Sequence, residues 1–175
     1  NLFAESLAGR KKIFELYTLD FGEFLEFKGF DMKPADIYKK NFNRFVYEEL
    51  KDLYSEFIRF GGLPEVVLST DIKQKTDLIT DILDSYIKID IKNLVDFENF
   101  AAVYKILKLL GNRTGNKLDI TKISNSAGFS RTTVSNYVEL FEGTYLIKKL
   151  PVLSKSPDKE ISKTPKIYFQ DNGFL

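Results

Sequence analysis

The 175-residue chain is 43% hydrophobic and sets 26 Lys and Arg against 25 Asp and Glu, a formal net charge of +1, with neither Cys nor His. Disulfides, thiolate and imidazole metal sites, Ser or Cys hydrolase triads and zinc hydrolysis are thereby largely excluded, and the near-neutral balance leaves any case for nucleic acid to local charge. The length suits two small modules. No apolar run approaches the roughly 18 residues of a membrane span, and the start Asn1-Leu2-Phe3-Ala4-Glu5 is not a signal peptide. A cytoplasmic protein is expected, and the missing initial Met reads as a trimmed fragment.

In chain order, Ile13-Phe14-Glu15-Leu16-Tyr17-Thr18-Leu19 is a short aromatic and β-branched run with partial alternation, which predicts a strand. Asp20 with Glu23 three residues later makes a capping-box pattern before Phe24, Leu25 and Phe27, so a short helix follows. Residues 36–60 repeat apolar positions at helical spacing and stop at Gly61-Gly62, with Pro64 at a first helical position just beyond. Residues 71–94 form a second long amphipathic stretch that joins the two modules. Further on, residues 101–110, 118–126 and 130–141 predict three helices, the last capped by Ser130 and preceded by a turn at Gly128. The runs at 144–150 and 166–169, separated by a polar loop at 154–164, predict two strands. Three helices followed by two strands predict a winged helix.

Three constellations bear on chemistry. Gly111-Asn112-Arg113-Thr114-Gly115-Asn116-Lys117 superficially resembles a phosphate loop, but three residues stand between its glycines, Asn116 replaces the Lys and Leu118 follows Lys117. An ordinary connection between helices is the better reading. The stretch from Ile120 to Tyr137 has a helix-turn-helix pattern in which Ile123, Ala127, Val134 and Tyr137 or Val138 point inward. Ser130, Arg131, Thr132, Ser135 and Asn136 stand on the outer, N-terminal part of the third helix, where a reading helix meets bases and phosphates. Residues 119–142 nevertheless balance to −1, whereas the wing, residues 144–170, balances to +4. Lys155, Lys159 and Lys163 are therefore either a solvated face or a wing contacting the DNA backbone. Phe60-Gly61-Gly62-Leu63-Pro64-Glu65-Val66-Val67 is either a tight turn or a place of close backbone approach ahead of free helix N–H groups. The carboxylates of Asp71, Asp77, Asp81 and Asp84 lie at mixed helical spacing, form no metal set and read as a solvated helix face.

The segments from Asn1 to Arg10 and from Phe14 to Leu25, the Phe60–Val67 motif, the helix from Phe129 to Glu142 and Pro165-Lys166-Ile167-Tyr168-Phe169-Gln170-Asp171-Asn172-Gly173 together resemble, in the same order, a family of archaeal and bacterial AAA+-type ATPases. That family is related to the STAND ATPases and combines a P-loop core, a helical lid, a winged helix and a C-terminal nuclease-like domain. The resemblance implies a mainly α chain: a short N-terminal strand and remnant of the ATPase core at 1–30, a helical lid and connecting helix at 31–95, and a winged helix-turn-helix domain with the start of the next domain at 96–175. It implies nucleotide contacts at Gly61, Gly62 and Pro64. Arg10 is either a surface cation or a positive charge for a phosphate. The chain departs from the family by omission, having neither a Gly-x-x-x-x-Gly-Lys-Ser/Thr loop nor an apolar strand ending in the acidic pair that positions Mg²⁺.

On this reading the isolated chain is not an enzyme and holds no cofactor. The parent protein is an ATPase that uses ATP and Mg²⁺, with its P-loop core as the partner of this chain and DNA as an open second partner. The chain senses nucleotide state and passes it on by rigid-body motion about Gly61-Gly62. A stand-alone winged-helix DNA-binding regulator, using Ser130, Arg131, Thr132, Asn136 and the wing lysines, is the alternative; a protein-interaction scaffold is a third.

Overall fold

A computed structural model describes residues 14–30, 43–91 and 100–175, and these are mainly helical. Asp20 opens α1 (Phe21–Phe27) with the expected capping box: its carboxylate accepts from the Glu23 amide at 2.9 Å, and the Glu23 side chain accepts from the Asp20 amide at 2.9 Å. Helix α2 (Arg44–Phe60) is capped by Asn43 and ends at Gly61, whose φ of 75° only glycine adopts readily. The sequence places the start of this helix at residue 36, and residues 36–42 lie outside the described residues. Pro64 opens α3 (Pro64–Leu68) and Asp71 caps α4 (Ile72–Ser85), which widens into a π-helical turn at Tyr86–Ile91.

The predicted strand at 13–19 is not formed by its described residues, 14–19. Strand pairing needs a neighbour with free ladder groups, and the stretch meets the glycine turn through the Leu19 amide, which donates to Gly62 O at 2.9 Å, without forming a ladder among the described residues. Leu16 is 99% exposed, so the alternation has no face to bury.

The C-terminal part follows the expected order. It comprises α5 (Phe100–Gly111), α6 (Ile120–Ala127), α7 (Arg131–Gly143), β1 (Ile147–Leu150), a short α8 (Pro157–Ser162), β2 (Lys166–Phe169) and a 3₁₀ turn at Asn172–Phe174. Strands β1 and β2 pair antiparallel with Ile147 opposite Phe169 and Leu150 opposite Lys166. Helix α8 occupies part of the predicted polar loop, because Pro157 fixes a first-turn φ and Asp158 and Glu160 suit a helix N-terminus.

Two cores result. Phe24, Leu25, Leu50 and Val67 form the N-terminal one, fringed by the rings of Phe21 and Phe57. The other gathers α5, α6, α7 and the hairpin around Val103, Ile106, Leu110, Ile123, Phe141 and Ile167. Ile87, from the π-helical turn, is wholly buried in this second core, so the connecting helix belongs to both units.

Beside the first core, Glu56 on α2 forms ion pairs with Lys28, just after α1, at 2.7 Å and with Lys75 on α4 at 3.0 Å. The Lys75 ammonium, 3% exposed, also donates to Val66 O. Burial pulls the Lys75 ammonium below the ordinary lysine range, with Glu56 opposing. Burial also pushes the Glu56 carboxyl up, but hydrogen bonds from the two lysines outweigh it and hold the group below its ordinary value.

Candidate functional site

The glycine motif and the C-terminal motif, separate in sequence, meet in space. Asp171 is 3% exposed, and its Oδ2 accepts from the Gly62 amide at 2.8 Å while Oδ1 accepts from the Gly173 amide at 2.7 Å. From the other side, the Leu19 amide donates to Gly62 O, and Thr18 Oγ1 lies 3.5 Å from Gln170 O. Three stretches of chain, at 18–19, 61–62 and 170–173, therefore form one clasp.

Glycine is required by the closeness of the approach. A Cβ on Gly61 would stand 1.7 Å from Asp171 Oδ1, one on Gly62 2.1 Å from Leu19 O, and one on Gly173 2.6 Å from Phe60 O. The Gly61 amide bonds to Phe57 O. Of the expected nucleotide-binding residues, Gly61 and Gly62 are thus buried with their amides already bonded, Pro64 is exposed, and Arg10 lies outside the described residues. With flanking chain on both sides, the glycine pair is a packed junction in this structure, where free rotation about Gly61-Gly62 would need the clasp to open. The acidic partner of the pair, Asp171, is the residue that sequence reasoning missed. Its motif stood out in the sequence but its partner did not, since the contact with Gly62 reaches across 109 positions.

The loop with phosphate-loop appearance is a connection. The Gly115 amide donates to Ile167 O at 2.7 Å, the Ile167 amide to Asn116 O at 3.1 Å and the Leu118 amide to Pro165 O at 2.9 Å, so the loop is tied along β2. Its amides are not arranged to wrap a phosphate. Among the described residues no group of His, Cys, Asp or Glu is placed to hold a metal ion.

On the helix-turn-helix, Ile123, Ala127, Val134, Tyr137 and Val138 are buried, and Gly128 takes the left-handed φ of 77° that ends α6. Ser130, Arg131, Thr132 and Asn136 lie on the open side of α7, all exposed; the Ser130 hydroxyl accepts from the Thr133 amide at 3.0 Å as the helix cap. Lys155, Lys159 and Lys163 are exposed on the connection between the strands, whereas Lys149 is held by Glu142 at 2.6 Å. Four large apolar side chains share that wing: Leu150, Val152, Leu153 and Ile161. The structure thus puts the lysines and the α7 face in one C-terminal unit, Gly61 and Gly62 in the clasp, and Pro64 exposed beside it.

No described helix is long and apolar enough to cross a membrane. A family model for a domain of unknown function, DUF8612, matches residues 51–175. An uncharacterized protein of Methanocaldococcus jannaschii, MJ1544, is 33% identical over 149 residues, 82% of this chain and 32% of the relative. An uncharacterized protein of Haemophilus influenzae is 26% identical over 175 residues, 97% of this chain and 40% of the relative. MJ1637, another uncharacterized protein of M. jannaschii, is 27% identical over 135 residues, 76% of this chain and 27% of the relative. The chain therefore spans less than half the length of each relative. No solved structure matches it.

Proposed function

We propose, for a chain that belongs to the DUF8612 domain family, that it is the lid-type helical and winged-helix part of a longer cytoplasmic AAA+-type ATP-binding protein, coupling nucleotide state to a partner domain. The observation that carries this reading is the clasp. Residues 18–19 lie within the segment that resembles the ATPase core, and they touch both the helical unit at Gly62 and the end of the winged unit at Gln170. A displacement arriving at Leu19 is felt at once by α2, α3 and the residues that follow β2. Because packed junctions shift between discrete arrangements rather than stretching, such a contact suits the transmission of a two-state signal.

In this reading ATP and Mg²⁺ are held by the P-loop core of the parent protein, which supplies the hydrolysis. Gly61 and Gly62 belong to the clasp, leaving exposed Pro64 as the surface offered to a nucleotide base. Hydrogen exchange of the full-length protein with and without a non-hydrolysable ATP analogue tests it. Altered protection at both 60–63 and 170–173 on nucleotide binding is expected; unchanged protection at both with the nucleotide bound overturns the reading.

A second reading, DNA binding by the winged unit, is favoured by the exposed polar face Ser130, Arg131, Thr132 and Asn136. Duplex binding measured by fluorescence anisotropy at two salt concentrations decides it. Binding that is steep in salt and weakened in Lys155/Lys159/Lys163→Ala supports phosphate contact by the wing, and no binding at low salt removes it.

A further inference from the structure

One open cleft, of about 610 Å³, lies between α4 and the corner where α7 turns into β1. Its floor is apolar, made by Leu78, Ile82, Leu146 and Phe174, and its rim carries the carboxylates of Glu65 and Asp81. Neither carboxylate has an ion pair among the described residues. Tyr145 closes one end, 55% exposed, at a φ of 61° that an aromatic residue adopts only at a cost in backbone strain. Its hydroxyl donates to Glu15 at 3.1 Å, which brings a third carboxylate to the rim. Helical residues Leu78, Asp81, Ile82 and Ser85 present one continuous face to this cleft.

The wing tip has the opposite character. Leu153 is 99% exposed and Ile161 84% exposed, and around them three lysines without an ion-pair partner among the described residues, Lys155, Lys159 and Lys163, outnumber the two carboxylates of Asp158 and Glu160. Apolar side chains standing this far into water mark a contact surface more than a solvated face. Cleft and tip lie at opposite ends of the hairpin, since Thr144 to Leu146 precede β1 whereas the tip residues follow it, about 13 Å further along at roughly 3.3 Å per residue. A chain thus has little means of seating its own wing in its own cleft.

We infer that the wing tip of one chain docks in the acidic cleft of a second copy, Leu153 and Ile161 meeting the apolar floor and the tip lysines meeting Glu65 and Asp81. The contact is heterologous, joining different patches on the two copies, so repetition gives a ring or a filament rather than a closed two-fold pair. The inference is independent of the ATP-linked reading, because it rests on the two patches alone.

Sedimentation velocity of the purified chain over a range of concentrations, at low and high salt, tests it through a charge-swap cycle. The wild-type chain is expected to associate with rising concentration, and salt to weaken the association. Lys155/Lys159/Lys163→Glu and Glu65/Asp81→Lys, all at exposed positions, are each expected to weaken self-association at least tenfold, on the order of 1.4 kcal/mol. Their equimolar mixture restores it, because each altered patch then finds its complement. A wild-type chain that stays monomeric at about millimolar concentration overturns the inference. So does a mixture that stays monomeric, including the case in which the wing lysines instead take duplex DNA, or a Leu153/Ile161→Ser variant that associates as the wild type does. Circular dichroism of each variant separates loss of contact from loss of fold.

Discussion

Among the described residues the C-terminal unit buries sixteen side chains in one continuous cluster, from Ile87 to Ile167, whereas the N-terminal helices bury six apolar side chains, of which four, Phe24, Leu25, Leu50 and Val67, form a cluster. The small core is accompanied by two directional links that hold it to its neighbours, the Lys28–Glu56–Lys75 bridge and the clasp at Gly62. Apolar burial scales with area and needs no exact partner, so a unit rich in it stands on its own. A unit poor in it depends on directional contacts, including those made by another part of the chain. The clasp is such a contact, drawn from the end of the larger unit and used by the smaller.

The most disruptive test of this contrast is Phe141→Ala at the centre of the large core, where the side chain is wholly buried. It is expected to cost about 4 kcal/mol in urea unfolding and to bring both units down together, as removal of a buried ring does. Asp171→Ala comes next. It leaves the Gly62 and Gly173 amides without their carboxylate and is expected to cost about 2–3 kcal/mol, with Asp171→Asn milder because one carbonyl oxygen remains as acceptor. Amide exchange at 60–63 should quicken while exchange at Val103 and Ile106 stays slow. If both regions quicken equally, the chain is one cooperative block and the contrast fails.

The smallest effect is in the response to acid. The Glu56 carboxyl titrates in the folded chain below its ordinary value of 4.5. The stability it contributes is therefore present above that value and is lost as pH falls through the folded value. Lys75, held below its ordinary 10.5, acts in the alkaline range: the folded state resists its proton, so stability rises as pH climbs from the folded value towards 10.5. Thermal unfolding from pH 6 to pH 3 should show a Tm decline that is shallower in Glu56→Gln than in the wild type.

Much of the architecture was legible in the residues. Asp20 with Glu23, Ser130 and Gly128 act through neighbours a few positions away, so their patterns name the caps and turns that the structure contains. The inward set Ile123, Ala127, Val134 and Val138 follows from helical period alone. Residues 14–19 failed as a strand because alternation states a preference for a sheet face without supplying the neighbour. Buried Lys75 was hidden in a run of polar helix residues, and only the approach of Glu56 and Val66 explains its burial. The clasp was half legible. Gly61-Gly62 and the residues around Asp171 each stood out, but no spacing rule joins positions 109 apart.

That separation also orders events in time. The helix pairs and the β1–β2 hairpin close short loops, whereas Asp171 and Gly62 can meet only after the intervening chain has taken shape. The C-terminal unit should therefore assemble first in refolding and the contact at Gly62 last. For a time after its core has formed, a newly made molecule would carry Asp171 in water and an unfastened glycine turn, a species that a pulse of deuterium during refolding would reveal by its unprotected Gly62 amide.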